Sequence, residues 1–266
     1  MQVSLKKRRV LTLVGVSLTG LVVAAAGAFA YVRPVYSVDE AHLPRFVTHD
    51  ILDPAAIGSV SRFRSGYGHS FTSEDETCRS MKQYFMPPTE SGFFDGNATP
   101  PNDIDPATNV AVYSPVAGTI TKIQSEQSNL GKQITIKSSE HRAYSFRLFH
   151  IFPLKEVSVG QKVTSGQRIG SKLPSQVVDV AVEVATIKDG TVLIPYTSLL
   201  SEELFISNYA GRGGGSPQNF TVSRQTRDAD PFTCSGESFV YPSYGNVESG
   251  AKQRESKNFV ELGKVL

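Results

Sequence analysis

Beyond its first 33 residues the chain has no surplus of positive charge, which argues against a nucleic-acid binder. The sequence holds 27 Lys and Arg against 25 Asp and Glu, and residues 1–33 take five of the cations and none of the acids. Residues 34–266 carry 22 basic and 25 acidic side chains, so no basic stripe is left to grip a phosphate backbone. Cysteine is scarce too: Cys78 and Cys234 are the only two. That is too few for a disulfide scaffold, but it is the number needed for one bridge in an oxidising compartment. No nucleophile elbow or other serine-hydrolase signature is present. Outside the N-terminus no long apolar run occurs, and between residues 110 and 186 there is no convincing helical pattern.

The N-terminus supplies the one strong targeting signal. Lys6, Lys7, Arg8 and Arg9 precede a run of 23 uncharged residues from Val10 to Val32, which Arg33 closes. A positive block before an uncharged stretch is an export signature, with the basic end kept inside. Ala28-Phe29-Ala30 has the form of a cleavage site, whereas the length of the run suits a bilayer core of about 30 Å. Both a removed signal peptide and a retained membrane anchor therefore fit, and either places the remaining chain outside the cytoplasm, in the periplasm or at the cell surface.

Five segments are expected along the chain: 1–33 as signal peptide or anchor, 34–61 as a linker, 62–109 as an aromatic and basic block followed by a Pro-rich loop, 110–200 as a β domain, and 201–266 as a short helix with a polar tail, mobile at its end. The linker reading rests on Pro34, Pro44 and Pro54 with little periodicity. The β domain rests on VAVYSPVAGTITKI, KQITIK, YSFRLFHI, KEVSVGQKV and VVDVAVEV, short β-branched runs separated by turn residues. The fold class is mainly β, a compact barrel-sandwich hybrid. A helix is expected over Ser201–Ala210, capped by Ser201, with Glu202 and Glu203 in the first turn and Gly211 after it. The Asn-x-Ser/Thr sequons at Asn97 and Asn219 matter only in a glycosylating host.

Val112-Tyr113-Ser114-Pro115-Val116-Ala117-Gly118-Thr119-Ile120 and Val159-Gly160-Gln161-Lys162-Val163-Thr164-Ser165-Gly166-Gln167-Arg168-Ile169-Gly170 form a recognisable pair. Together they resemble the "V-x-[AS]-P-x-x-G-x-[IV]" and "V-x-x-G-Q-x-V-x-x-G-Q-x-I-G" motifs of the lysostaphin-type zinc endopeptidases, which cut peptidoglycan cross-bridges. Gly118, Gly160 and Gly166 are expected at sharp turns with positive φ. The resemblance covers about residues 110–186. It implies a zinc ion on two histidines and an aspartate, with an open position for an ionisable water, drawn from "H-x-x-x-D" and "H-x-H" elements, and further histidines for proton transfer.

The chain departs from that pattern. Strand period puts Val178, Val180, Val182 and Val184 on the core face, so Asp179, Ala181 and Glu183 face the groove. Asp179 and Ala181 then stand at the two histidines of "H-x-H", and alanine cannot ligate zinc. His69, followed by Ser73 where the aspartate belongs and by Glu74, Asp75 and Glu76, is a weak match to "H-x-x-x-D"; it reads equally as a surface histidine beside an acidic run. His150 falls in the strand that the family uses for a catalytic histidine, with a hydrogen-bonded strand-end histidine as the plainer reading. The site expectation is thus His150 and Asp179 as catalytic groups, His69 as a ligand if any metal binds, and a Cys78–Cys234 disulfide. In the Arg62–Phe85 block, Phe63, Tyr67, Phe71, Tyr84 and Phe85 interleave with Arg62, Arg64, Arg79 and Lys82, a mixture that suits sugar rings and stem-peptide carboxylates or simply a flap over the barrel.

The first functional expectation is a non-catalytic envelope domain that needs no cofactor and binds peptidoglycan or a cell-wall enzyme. The alternatives are a zinc endopeptidase with a rearranged site and a purely structural envelope or adaptor protein, so enzymatic activity stays an open question. Biotin- and lipoyl-carrier domains share this class of barrel, but Met81-Lys82 lies outside the β domain rather than on an exposed hairpin within it.

Overall fold

The computed structural model of the protein describes residues 33–73, 75–88, 109–126, 130–240 and 258–265. The expected export segment up to Val32, most of the Pro-rich loop, Glu74 and Asn97 lie outside the described residues. Among the described residues, no helix is long and apolar enough to cross a membrane.

The strands are β1 (Ser59–Ser61), β2 (Gln83–Met86), β3 (Val110–Tyr113), β4 (Gly118–Ser125), β5 (Lys132–Ser138), β6 (Tyr144–Pro153), β7 (Lys162–Val163), β8 (Arg168–Lys172), β9 (Val178–Ala185) and β10 (Thr191–Ile194). Helix α1 (Glu202–Asn208) follows, then α2 (Arg224–Ala229), a hairpin of β11 (Thr233–Ser235) and β12 (Ser238–Val240), and β13 (Phe259–Glu261). Eleven strands form one sheet in the order β13-β1-β2-β9-β6-β5-β4-β7; β10 lies beside β9, and the β3–β8 pair joins through β6. All pairings between these named strands are antiparallel. The fold is mainly β as expected, but the sheet does not close into a barrel: β13 and β7 end it and do not pair with each other.

The alternation read in VVDVAVEV holds. Val178, Val180, Val182 and Val184 pack into the main core with Ile120, Ile134, Ile136, Phe146 and Leu148. Asp179 and Ala181 point to the opposite face, where Ala181 joins Phe63, Met81, Phe149 and Leu193 in a second apolar cluster. A one-residue slip of β9 would drive Asp179 into the main core, so the register is strongly specified. Gly160 and Gly166 have the expected positive φ, +89° and +76°. Gly118 does not; it is needed because a Cβ there would lie 2.3 Å from the Lys137 carbonyl oxygen.

Two segments expected to be peripheral belong to the core. In the 34–61 stretch, expected as a linker, Val47, Ile51, Leu52, Ile57 and Val60 are fully buried and β1 pairs with β2. Asp50 is buried with them; it accepts hydrogen bonds from the Tyr196 hydroxyl (3.1 Å), the Tyr209 hydroxyl (2.5 Å) and the Ile51 amide (2.8 Å). Burial raises its pKa against those donors. At the other end, Phe259–Glu261 is no mobile tail, because it pairs with β1. Helix α1 forms within the expected span, and the Ser201 hydroxyl accepts from the Leu204 amide as its cap.

Candidate functional site

The second face of β9 carries a chain of charges. β2 pairs with β9 in the register Gln83↔Val180 and Tyr84↔Asp179, which brings Lys82 against the Asp179 carboxylate. The Lys82 ammonium forms an ion pair with Asp179 Oδ2, and both side chains are buried. Asp179 Oδ1 lies 3.1 Å from His150 Nε2, and His150 Nδ1 lies 2.8 Å from Glu126 Oε2. On the other side, Lys82 Nζ is 3.0 Å from His69 Nε2. The ammonium sits 4.3 Å from the Phe149 ring centre, 5.0 Å from Tyr84 and 5.3 Å from Phe71, an aromatic cage that suits a cation.

Protonation follows from the partners. An ammonium only donates, so His69 Nε2 must accept, which leaves its Nδ1–H to donate to the Ser70 carbonyl at 3.2 Å. Burial, and then the charge of Lys82, lowers the His69 pKa, in keeping with a neutral ring. Both nitrogens of His150 face carboxylates, so both donate and the ring is an imidazolium. Burial alone pushes His150 down, but Asp179 and then Glu126 outweigh it and carry the pKa up to about 10. Burial likewise raises Asp179, yet Lys82 and His150 hold its carboxyl well below the usual range, while Asp179 raises Lys82 against its own burial. His150 adopts φ +63°, a left-handed conformation costly for a residue with a Cβ and therefore held by its surroundings.

These shifts give a pH signature. A raised His150 pKa contributes stability that is full below about pH 6.5 and is lost as pH rises toward about 10, at up to about 1.4 kcal/mol per pH unit. Lys172, pulled down to about 8 by burial, acts in the opposite sense above pH 8. Stability to urea is expected to fall by about 2 kcal/mol between pH 6.5 and 8 and then to flatten, and His150→Gln is expected to remove the fall. A wild-type profile that is level from pH 6.5 to 8 contradicts the imidazolium. Asp179 works at the acid end: with its pKa lowered, its contribution is present above about pH 4 and is lost on further acidification.

Of the residues expected at the site, His69, His150 and Asp179 are brought together, and Ala181 lies on the same face of β9. Lys82 joins them, a residue that the sequence offered only as a cation among aromatics. Of the acidic run, Asp75 and Glu76 are committed elsewhere: Asp75 pairs with Arg224 at 2.6 Å, and Glu76 receives Arg64 at 2.7 Å and Arg79 at 2.8 Å. Much of the aromatic and basic block is internal, with Phe63, Tyr67, Tyr84, Phe85, Arg64, Arg79 and Lys82 all buried. Phe63 and Met81 cover the second face of the sheet beside Ala181, whereas Phe85 on β2 joins the main core, so the block is not an open sugar platform.

That cover is fastened by the expected disulfide. Cys78 and Cys234 are bonded, with Cα atoms 5.6 Å apart. The β11–β12 hairpin thus lies against the 62–80 segment, where the Ser70 amide donates to the Glu237 carbonyl at 2.7 Å and Glu237 Oε2 stands 3.6 Å from His69 Nδ1. Gly68, at φ +72°, carries the chain past the Tyr84 hydroxyl, which a Cβ there would meet at 2.3 Å.

The zinc that the motif resemblance implies does not fit these residues. The Asp179 oxygens are taken by Lys82 and His150, and Ala181 has no donor. Among the described residues no three His, Cys, Asp or Glu side chains cluster as a metal site. A dication about 4 Å from the ammonium would meet a repulsion of about 8 kcal/mol at an effective dielectric of 20.

No family model matches the chain, and no curated protein matches it. Among solved structures, the chain is similar to CbpA from L. salivarius REN (24% identity over 27% of this chain and 46% of that one, TM-score 0.23). It is also similar to lysostaphin (16% identity, 52% and 54% covered, TM-score 0.31) and to the SpoIIQ–SpoIIIAH pore-forming complex (17% identity, 60% and 94% covered, TM-score 0.35). The chain spans about half the length of the first two, at 46% and 54%. All three TM-scores lie below 0.5, and the roles of the site residues are read from this chain's own geometry.

Proposed function

We propose that the protein is a non-catalytic envelope module that acts outside the cytoplasm and binds peptidoglycan or a wall-processing partner. One observation carries this reading: at the place where the motif resemblance implies a metal and its water, a lysine ammonium lies on Asp179 beside Ala181. In the chain of alternating charges Asp179 is committed to Lys82 and His150, and His150 to Asp179 and Glu126, so neither is free to act as a general base. Export rests on the basic cluster and uncharged run of the first 33 residues. A cleft of about 540 Å³ has an apolar wall of Ile123, Phe152 and Leu154, the cations Lys132 and Lys155, and Glu126, whose carboxylate is paired with His150; the two lysines suit a carboxylate-bearing peptide.

The test is to incubate the purified full chain with isolated peptidoglycan and follow both co-sedimentation and release of soluble fragments. Binding without release is expected. Fragment release that a chelator stops would replace this reading with the rearranged zinc peptidase. Neither binding nor release, even with a wall enzyme added, would leave the structural role.

A further inference from the structure

We propose that Lys82 does the electrostatic work of a divalent metal, holding Asp179 and His69 together at a place where only two metal-type donors among the described residues converge. The inference rests on the non-catalytic reading above but concerns the interior of the site rather than its ligand. The Lys82 Nζ has a carboxylate oxygen of Asp179 on one side and the unprotonated Nε2 of His69 at 3.0 Å on the other. An oxygen and an imidazole nitrogen are donors that zinc and cobalt accept. The His69 ring is also held as a metal-bound imidazole is held, with its Nδ1–H on a backbone carbonyl, here that of Ser70 at 3.2 Å. The second oxygen of Asp179 is fixed by His150, itself anchored on Glu126, so the carboxylate is oriented from behind. What excludes a metal is the ammonium between two donors, with Ala181 supplying no third. It supplies the positive charge that the buried Asp179 requires without any dependence on a metal supply.

The test replaces the ammonium and measures metal, not activity. Lys82→His removes the fixed positive charge and adds a third donor, a second imidazole nitrogen; Lys82→Ala removes the charge and adds no donor. Each full-length variant and the wild type are purified without metal and titrated with Co²⁺ and Zn²⁺, following the visible cobalt spectrum, bound metal per chain after gel filtration and the melting temperature. The wild type is expected to hold no metal and to melt at the same temperature with or without chelator. Lys82→His is expected to take up one equivalent, to show the intense bands of tetrahedral cobalt and to rise in melting temperature on metal addition; Lys82→Ala is expected to bind at least tenfold more weakly. Adding Asp179→Asn to Lys82→His is expected to abolish uptake. If a variant folds only when metal is present, that also supports the proposal. Stoichiometric metal in the wild type, or no uptake by either folded variant, overturns it. Binding of peptidoglycan by the wild type is a separate measurement, so the two readings can fail independently.

Discussion

Replacing Lys82 with methionine is expected to lower the free energy of unfolding by about 3–5 kcal/mol, among the largest effects of any single substitution in this chain. Methionine keeps most of the volume and the contact with Phe71, Tyr84 and Phe149, so little of the loss comes from packing. The loss is electrostatic: Asp179 is fully buried and would keep only His150. Removing one partner of a buried pair leaves an uncompensated charge, whereas removing both leaves none. The double variant Lys82→Met with Asp179→Leu is therefore expected to recover most of the stability, with a coupling energy of the size of the single loss. Urea unfolding of the four proteins gives the cycle. A Lys82→Met loss under about 1 kcal/mol would mean that water reaches the pair. The Arg224–Asp75 pair is the built-in control: both side chains are about half exposed, and Asp75→Ala is expected to cost under about 1 kcal/mol.

The middle of the fold is readable in the sequence because its strands alternate. VVDVAVEV, YSFRLFHI and KQITIK correspond to β9, β6 and β5, and the phase of β9 alone places Asp179 and Ala181 on the correct face. The first and last strands are not readable. β1, Ser59–Ser61, is only three residues long, too short to show a period, and its two serines are buried along with Val60. β13 pairs with β1 across some 200 residues, a relation that no local pattern records. KEVSVGQKV misleads in the other direction, since Lys162–Val163 alone is strand and the rest is turn. The site is half legible. Residue type and motif position point to His69, His150 and Asp179. Nothing comparable points to Lys82, because lysines are rarely fully buried and only the pairing of β2 with β9 turns it inward.

Reduction of the Cys78–Cys234 bridge is expected to be the second large effect, and it should be local before it is global. The bridge closes a loop of 156 residues, which in the chain-entropy model is worth about 5 kcal/mol, an upper figure when the reduced chain retains structure. The segments that it joins differ in their other support. β2 and β9 are held by sheet pairing and the main core, whereas the β11–β12 hairpin is a pair of three-residue strands outside the main sheet. Its further ties include the Ser70 amide on the Glu237 carbonyl and the ring of Phe232, which packs on Gly66 and beneath the Arg227 guanidinium at 3.9 Å. Under reductant, hydrogen exchange is therefore expected to speed first in residues 233–240 and in the 66–73 segment that they cover, while β5, β6 and β9 stay protected. His69 would then lose Glu237 from its Nδ1 side and become more exposed, without change at Asp179 or His150. Cys78→Ser with Cys234→Ser should show the same pattern without reductant. Uniform loss of protection across the sheet would instead mean that the bridge holds the whole domain and not its cover. The expected order follows from burial: Asp179 and Lys82 lie beneath the aromatic cage, while Glu237 and most of the hairpin stand in solvent.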